Sequence, residues 1–157
     1  FTNDLAGELR DILGPQIQTA RNLYAQPMIN PDSEAWFAQN LDDFLENYDW
    51  TAPMAMPFME GVSMADPGQW LANLVDIVRE RPGALDKTVF EIQARDWAQT
   101  EFNDEGHIPA SVMASWLRQL QMHGARHLGY YPDDFVTNQP RIEVIRPAIS
   151  NAWYPHQ

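Results

Sequence analysis

The sequence predicts an α/β protein that supplies part of a (β/α)8 barrel of the TIM type, roughly its last four β/α units. Three observations predict it. Four short β-branched or apolar runs alternate with amphipathic helices, and their starts recur at roughly 35 residues, the length of a strand with its crossover helix. Each run ends in a polar or aromatic cluster: Arg21-Asn22-Leu23-Tyr24, Met56-Pro57-Phe58-Met59-Glu60, Arg95-Asp96-Trp97 and Tyr130-Tyr131-Pro132-Asp133-Asp134. The third run, Phe90-Glu91-Ile92-Gln93-Ala94-Arg95, alternates apolar and polar residues. That puts Glu91, Gln93 and Arg95 on one face, as in a barrel interior leading to a polar mouth. A flavodoxin-like sheet has the same element order, but its strands are apolar throughout. Connections this short are right-handed crossovers, so the strands run parallel.

The elements follow in order. Asn3 to Leu13 reads as a helix burying Leu5, Leu9, Ile12 and Leu13, ended by Gly14-Pro15. Ile17 to Tyr24 is the first strand. Asn30-Pro31 caps and opens a helix whose stripe is Trp36, Phe37, Leu41, Phe44, Leu45 and Tyr48. Thr51 to Met56 is the second strand, expected to be irregular because Pro53 and Pro57 lack ladder donors. Asp66-Pro67-x-Gln69 starts a helix carrying Trp70, Leu71, Leu74, Val75, Ile77 and Val78, and Pro82-Gly83 stops it. Thr88 to Ala94 is the third strand, and Gln99 to His107 is a polar loop. Pro109 opens a helix with Val112, Met113, Trp116, Leu117, Leu120 and Met122 inward, ending at Gly124. Arg126 to Tyr131 is the last strand. The tail from Gln139 holds one helical turn around Ile142 and Ile145, then the aromatics Trp153 and Tyr154.

With 157 residues and 45% apolar content, the chain suits one domain with a real core. No apolar run approaches the roughly 20 residues of a membrane helix. There are no cysteines, which excludes disulfides and thiolate metal sites. With 10 basic against 22 acidic residues, the net charge is −12. That surface repels nucleic-acid phosphates and suits a cationic partner, although excess carboxylates also serve solubility alone. The chain opens at Phe1 inside a helix, without an initiator Met, and so reads as a piece of a longer protein.

The chemistry gathers at the strand exits. Trp97 can stack on the apolar face of a sugar, with Arg95 and Asp96 bonding hydroxyls or amines. Alternatively, Trp97 caps the core and Arg95 pairs locally. Tyr130, Tyr131, Asp133 and Asp134 set carboxylates beside aromatics, the materials of glycoside hydrolysis. Pro132-Asp133-Asp134 is equally good turn chemistry. Arg21 is placed to orient a carboxylate, and Asn22 and Glu60 to bond substrate; an Arg21–Glu60 salt bridge explains that pair as well. G-x-S-x-G, P-loop, G-x-G-x-x-G and H-E-x-x-H patterns are absent. His123 and His127 are four apart, but Gly124 interrupts the helix, so no metal pair is expected.

Several long blocks carry a resemblance: ARNLYAQP (Ala20 to Pro27), SEAWFAQNLDDFL (Ser33 to Leu45), YDWTAPMAMPFMEGV (Tyr48 to Val62), LDKTVFEIQARDW (Leu85 to Trp97), HGARHLGYYPDDF (His123 to Phe135) and AWYPHQ (Ala152 to Gln157). Together they resemble the C-terminal domain of the PgaB/HmsF-type poly-β-1,6-N-acetyl-D-glucosamine N-deacetylases. The resemblance implies a glycoside-hydrolase-like barrel that binds and cleaves the partly deacetylated, cationic polymer. It implies a periplasmic, outer-membrane-tethered protein with an N-terminal metal-dependent deacetylase domain, an outer-membrane export porin being a candidate partner. In that family the acidic residues closest to catalysis lie in a His-Asp-Asp-type segment on an earlier strand, which this sequence does not contain. The resemblance therefore implies the second half of the barrel, with no cofactor in this segment and the main catalytic acid upstream. The residues expected to line the groove are Arg21, Asn22, Tyr24, Glu60, Gln93, Arg95, Asp96, Trp97, Tyr130, Tyr131 and Asp133. Non-catalytic guidance of the glycan is the alternative.

Overall fold

The computed structural model describes residues 2–63, 67–98, 106–152 and 154–155. Strands β1 (Ala20–Leu23), β2 (Trp50–Ala55), β3 (Val89–Gln93) and β4 (His127–Tyr131) form one parallel sheet in the order β1-β2-β3-β4. Each strand lies beside its predecessor in sequence. A doubly wound sheet reverses its order at a switch point; an arc of a barrel does not.

The two sheet faces differ in the same way. Leu23, Ala55, Phe90 and Ile92 are buried beneath the helices. The concave face carries Asn22, Glu91 and Tyr131, which keep contact with solvent. Helix α5 (Pro67–Arg79) covers the convex face with Leu71, Leu74, Val75 and Val78, and α6 (Ala110–Met122) with Met113, Trp116, Leu117 and Leu120. Both stripes recur at three- to four-residue spacing, so each helix buries one side.

Pro53 makes β2 irregular, as its missing donor requires. The pairing of β2 with β1 ends at Leu23↔Pro53, and the pairing with β3 begins at Met54↔Glu91.

Four helical expectations are corrected. In α1 (Thr2–Leu13), Leu5, Leu9, Ile12 and Leu13 are exposed and only Ala6 is buried. Polar contacts hold this helix instead: Arg10 donates to the Asn47 carbonyl at 3.0 Å, to Thr19 Oγ1 at 2.6 Å and to Asp49 at 3.1 Å. The helix expected from Asn30 to Tyr48 is broken into α2 (Ala25–Ile29), a 3-10 turn, α3 (Glu34–Phe37) and α4 (Leu41–Asn47). Ala38 adopts a left-handed φ of 51°, which lets Gln39 Oε1 accept the Tyr24 N–H at 2.9 Å and Asn40 cap α4 through the Asp43 N–H at 2.9 Å. Trp36, expected inside, is 88% exposed. Met122 also faces solvent. The tail turn is a full helix, α7 (Ile142–Ile149), packed against α6 through Ile145 and Ala148. The Asp66 cap, most of the 99–107 loop, Trp153 and His156 lie outside the described residues.

Candidate functional site

Strand parity decides which side chains reach the concave face. The register sets Asn22 beside Ala52, Met54 beside Glu91, Glu91 beside Gly129 and Gln93 beside Tyr131. At mid-depth, Asn22 Nδ2 reaches over the small Ala52 and donates to Glu91 Oε2 at 3.0 Å. Partial burial pushes the Glu91 carboxyl above the usual glutamate range, and the Asn22 hydrogen bond opposes that push. Deeper still, His127 lies edge-on to Trp50 at 4.9 Å, with its Nδ1 at 3.0 Å from the Tyr154 hydroxyl.

The mouth is aromatic. Trp97 and Tyr131 stack at 6.3 Å with 24° between their planes, and they remain 40% and 56% exposed. Tyr24, at the exit of β1, leans on Phe37 at 5.2 Å and is also exposed. Glu60 lies in the turn after β2, where it accepts the Gln26 N–H; partial burial raises its pKa. Arg95 and Asp96 follow β3. The backbone of Arg95 bridges to His107, the Asp96 N–H donates to the Gly106 carbonyl at 2.8 Å, and Asp96 Oδ1 accepts the Ala98 N–H at 3.0 Å. Beside this mouth, His107, Ile108, Ser111, Asp134, Gln139 and Arg141 line a cleft of about 650 Å³.

Three expected groove residues, Arg21, Tyr130 and Gln93, do not present their side chains to an open groove. Arg21 has the opposite parity from Asn22; it faces the helices, with its guanidinium 5.8 Å from the centre of the Phe44 ring. It forms no salt bridge with Glu60 and is not placed to orient a carboxylate in the groove. Tyr130 pairs in register with the buried Ile92 and packs on the convex core. Its hydroxyl donates to Asp133 Oδ1 at 3.0 Å, and burial together with that carboxylate pushes its pKa up to about 12. Asp133 is thereby engaged with Tyr130. Gln93 has the expected parity but is 0% exposed. Its Oε1 accepts the Phe58 N–H at 2.8 Å and the Met59 N–H at 3.4 Å, and its Nε2 donates to the Arg95 carbonyl at 2.7 Å. It ties two strand exits together, and its full burial keeps it from a ligand in the groove.

Asp134 is turn chemistry: it accepts from the Val136 and Thr137 N–H groups and from Thr137 Oγ1. Glu91 was missing from the expected groove set. The alternation that revealed the barrel interior was also the signal for it. Among the described residues, no group of three or more His, Cys, Asp or Glu is arranged to hold a metal, and no helix is long and apolar enough to cross a membrane.

Comparison with known proteins places this geometry. The chain is 48% identical over 155 residues to the poly-β-1,6-N-acetyl-D-glucosamine N-deacetylases of Escherichia coli K12 and O157:H7. Each alignment covers 99% of this chain and 23% of the relative, so the chain spans about a quarter of those proteins. The solved structure of the PgaB (BpsB) glycoside hydrolase domain from Bordetella bronchiseptica superimposes with a TM-score of 0.82 at 42% identity. That match covers 94% of this chain and 41% of the solved one, and it identifies the four-stranded sheet as part of a TIM-type barrel. The family model described as hypothetical glycosyl hydrolase family 13 matches residues 1–131. A parallel strand arc, a polar concave face and an aromatic mouth thus occur in a chain that belongs to the glycosyl hydrolase family GHL13.

Proposed function

We propose that this chain forms one wall of the substrate groove of a glycoside hydrolase acting on partly deacetylated poly-β-1,6-N-acetyl-D-glucosamine. The stacked Trp97–Tyr131 pair at the exits of adjacent strands carries the reading. Two partly exposed, nearly parallel rings offer apolar faces on which pyranose rings can lie. The net charge of −12 favours a polymer bearing free amines. Further barrel strands, outside this chain, supply the main catalytic acid in this reading. The whole protein is an extracytoplasmic, outer-membrane-associated biofilm enzyme with a preceding deacetylase domain, working beside an export porin.

One observation favours non-catalytic glycan guidance as the second reading. The described carboxylates of the groove and mouth each already accept a hydrogen bond from their own protein: Asp96 from Ala98, Glu60 from Gln26 and Glu91 from Asn22. Product sizing after incubation of full-length protein with partly deacetylated polymer separates the readings. Shortened chains support hydrolysis. Bound but intact polymer supports guidance, and absence of binding removes both. Trp97→Ala should weaken polymer affinity roughly three- to tenfold, the worth of one aromatic platform; unchanged affinity would remove Trp97 from the groove.

A further inference from the structure

We propose that the tail after α7 is an acid-released strap: at neutral pH Tyr154 latches it to His127 at the end of the sheet away from the mouth, and protonation of the imidazole frees it. The inference is independent of the glycan reading.

Four elements meet at His127, the first residue of β4. Its ring lies edge-on to Trp50, the first residue of β2, at 4.9 Å, and to Tyr154 of the tail at 5.7 Å. Its Nε2 is 3.0 Å from the Asp86 carbonyl, in the 3-10 turn Ala84–Lys87 that leads into β3. A carbonyl only accepts, so the proton sits on Nε2, and Nδ1 carries the lone pair that accepts the Tyr154 hydroxyl at 3.0 Å. The near end of the tail is held by groups that do not titrate. Asn151 donates to the Arg126 carbonyl at 3.0 Å, and Gln121 donates to the Ala148 and Ser150 carbonyls at 3.1 and 3.3 Å. The far end is closed by a reciprocal pair at 3.1 Å: the Asn151 N–H donates to the Tyr154 carbonyl, and the Tyr154 N–H to Asn151 Oδ1.

Protonation undoes the latch for two reasons. A hydrogen on Nδ1 takes the place of the lone pair, so the Tyr154 hydroxyl has nothing there to donate to. The charged ring is also poorly placed beneath the tail: burial, and then the Arg126 guanidinium, hold its pKa below the ordinary histidine value. The charged groups nearby give little relief. The Asp86 carboxylate is paired with Arg126, and Lys87 on the same turn donates to the Leu45 carbonyl. Trp50 from β2 and Tyr154 from the tail bring a neutral ring and a hydroxyl. Release returns water to the imidazole. The strapped form therefore keeps its full advantage above the ordinary histidine value and loses it as pH falls through the lower, strapped value. Because β4 runs from His127 to Tyr131, the strap fastens the strand that carries half of the aromatic mouth.

The test is hydrogen exchange of the Asn151 and Tyr154 amides in the full-length protein, at about pH 7.5 and pH 5.5, corrected for the intrinsic pH dependence of exchange. Wild-type protection should fall about threefold or more on acidification. His127→Gln keeps a donor for the Asp86 carbonyl and an acceptor for Tyr154 but cannot titrate, so its protection should not change with pH. Tyr154→Phe removes only the hydroxyl and should leave both amides at the low level at either pH. Tyr154 is 56% exposed, so this variant carries the test even if His127→Gln fails to fold. Wild-type protection that ignores pH, a His127→Gln tail that still loosens in acid, or a Tyr154→Phe tail as protected as wild type at neutral pH would overturn the strap.

Discussion

Gln93 joins two loops that form the mouth, and replacing it tests whether that junction positions the site. It is wholly buried, and three of its contacts are to backbone groups. Gln93→Leu conserves volume but strands the Phe58 N–H and the Arg95 carbonyl, which now make contacts of 2.8 and 2.7 Å. The 3.4 Å contact to Met59 is weak and adds little. A stranded buried group costs about 1–3 kcal/mol, and Phe58 is only half-buried, so its N–H recovers some water. The expected loss is therefore about 2–4 kcal/mol, read from urea unfolding of the full-length protein. Q93E sharpens the test. At neutral pH the introduced carboxylate still accepts from Phe58 but repels the Arg95 carbonyl. When protonated, it donates to that carbonyl and restores both contacts. Its deficit should shrink as pH falls, whereas the deficit of Gln93→Leu should not. A Gln93→Leu loss below about 1 kcal/mol, or identical pH profiles for the two variants, would refute the junction.

Two further predictions follow from the same geometry. Arg21→Met should leave glycan affinity unchanged and cost no more than about 1 kcal/mol, the worth of a guanidinium over an aromatic ring; a tenfold affinity loss in a normally folded variant would return Arg21 to the groove. Burial holds the folded-state pKa of Glu91 above its unfolded value, so its contribution to stability is fully present below the unfolded value of about 4.3 and is lost as pH rises through the folded value. Glu91→Gln cannot ionise there, so its stability relative to wild type should rise between about pH 4 and pH 7. Urea melts at those two pH values check this, and a difference that does not vary with pH contradicts it.

The sheet was legible in the sequence because its signals are local and repeated. Strand runs, turn residues and helix stripes recur with one spacing, and each strand lies within a few residues of its expected place. The helices were less legible wherever a tertiary contact overrode the periodic pattern. Between Asn30 and Tyr48 the apolar spacing favours one helix. The structure breaks it at Ala38, so that Gln39 can satisfy the Tyr24 backbone and Asn40 can cap α4. Nothing in the spacing of Trp36, Phe37 and Leu41 encodes that requirement. The stripe on α1 was read correctly as apolar, but no element among the described residues covers Leu5, Leu9, Ile12 and Leu13.

The site residues divide by parity, and this is where sequence reading reached its limit. A cluster such as Arg21-Asn22 or Tyr130-Tyr131 names two neighbours, of which a strand can send only one into the groove. In β3 the alternation is decisive, because Phe90 and Ile92 are large and apolar and so assign Glu91 and Gln93 to the other face. In β1 and β4 it is not. Ala20, Arg21 and Asn22 carry no strong apolar anchor before Leu23, and Leu128-Gly129-Tyr130-Tyr131 has aromatic rings at both parities. The deciding information is the register to β3: Ile92↔Tyr130 draws Tyr130 to the convex core, and Gln93↔Tyr131 leaves Tyr131 beside the mouth. Slipping one residue in β4 would exchange the two tyrosines and dismantle the stack with Trp97. The aromatic platform and the Asn22–Glu91 contact are thus consequences of strand pairing, set by the burial of Phe90 and Ile92 in the one strand whose pattern is unambiguous.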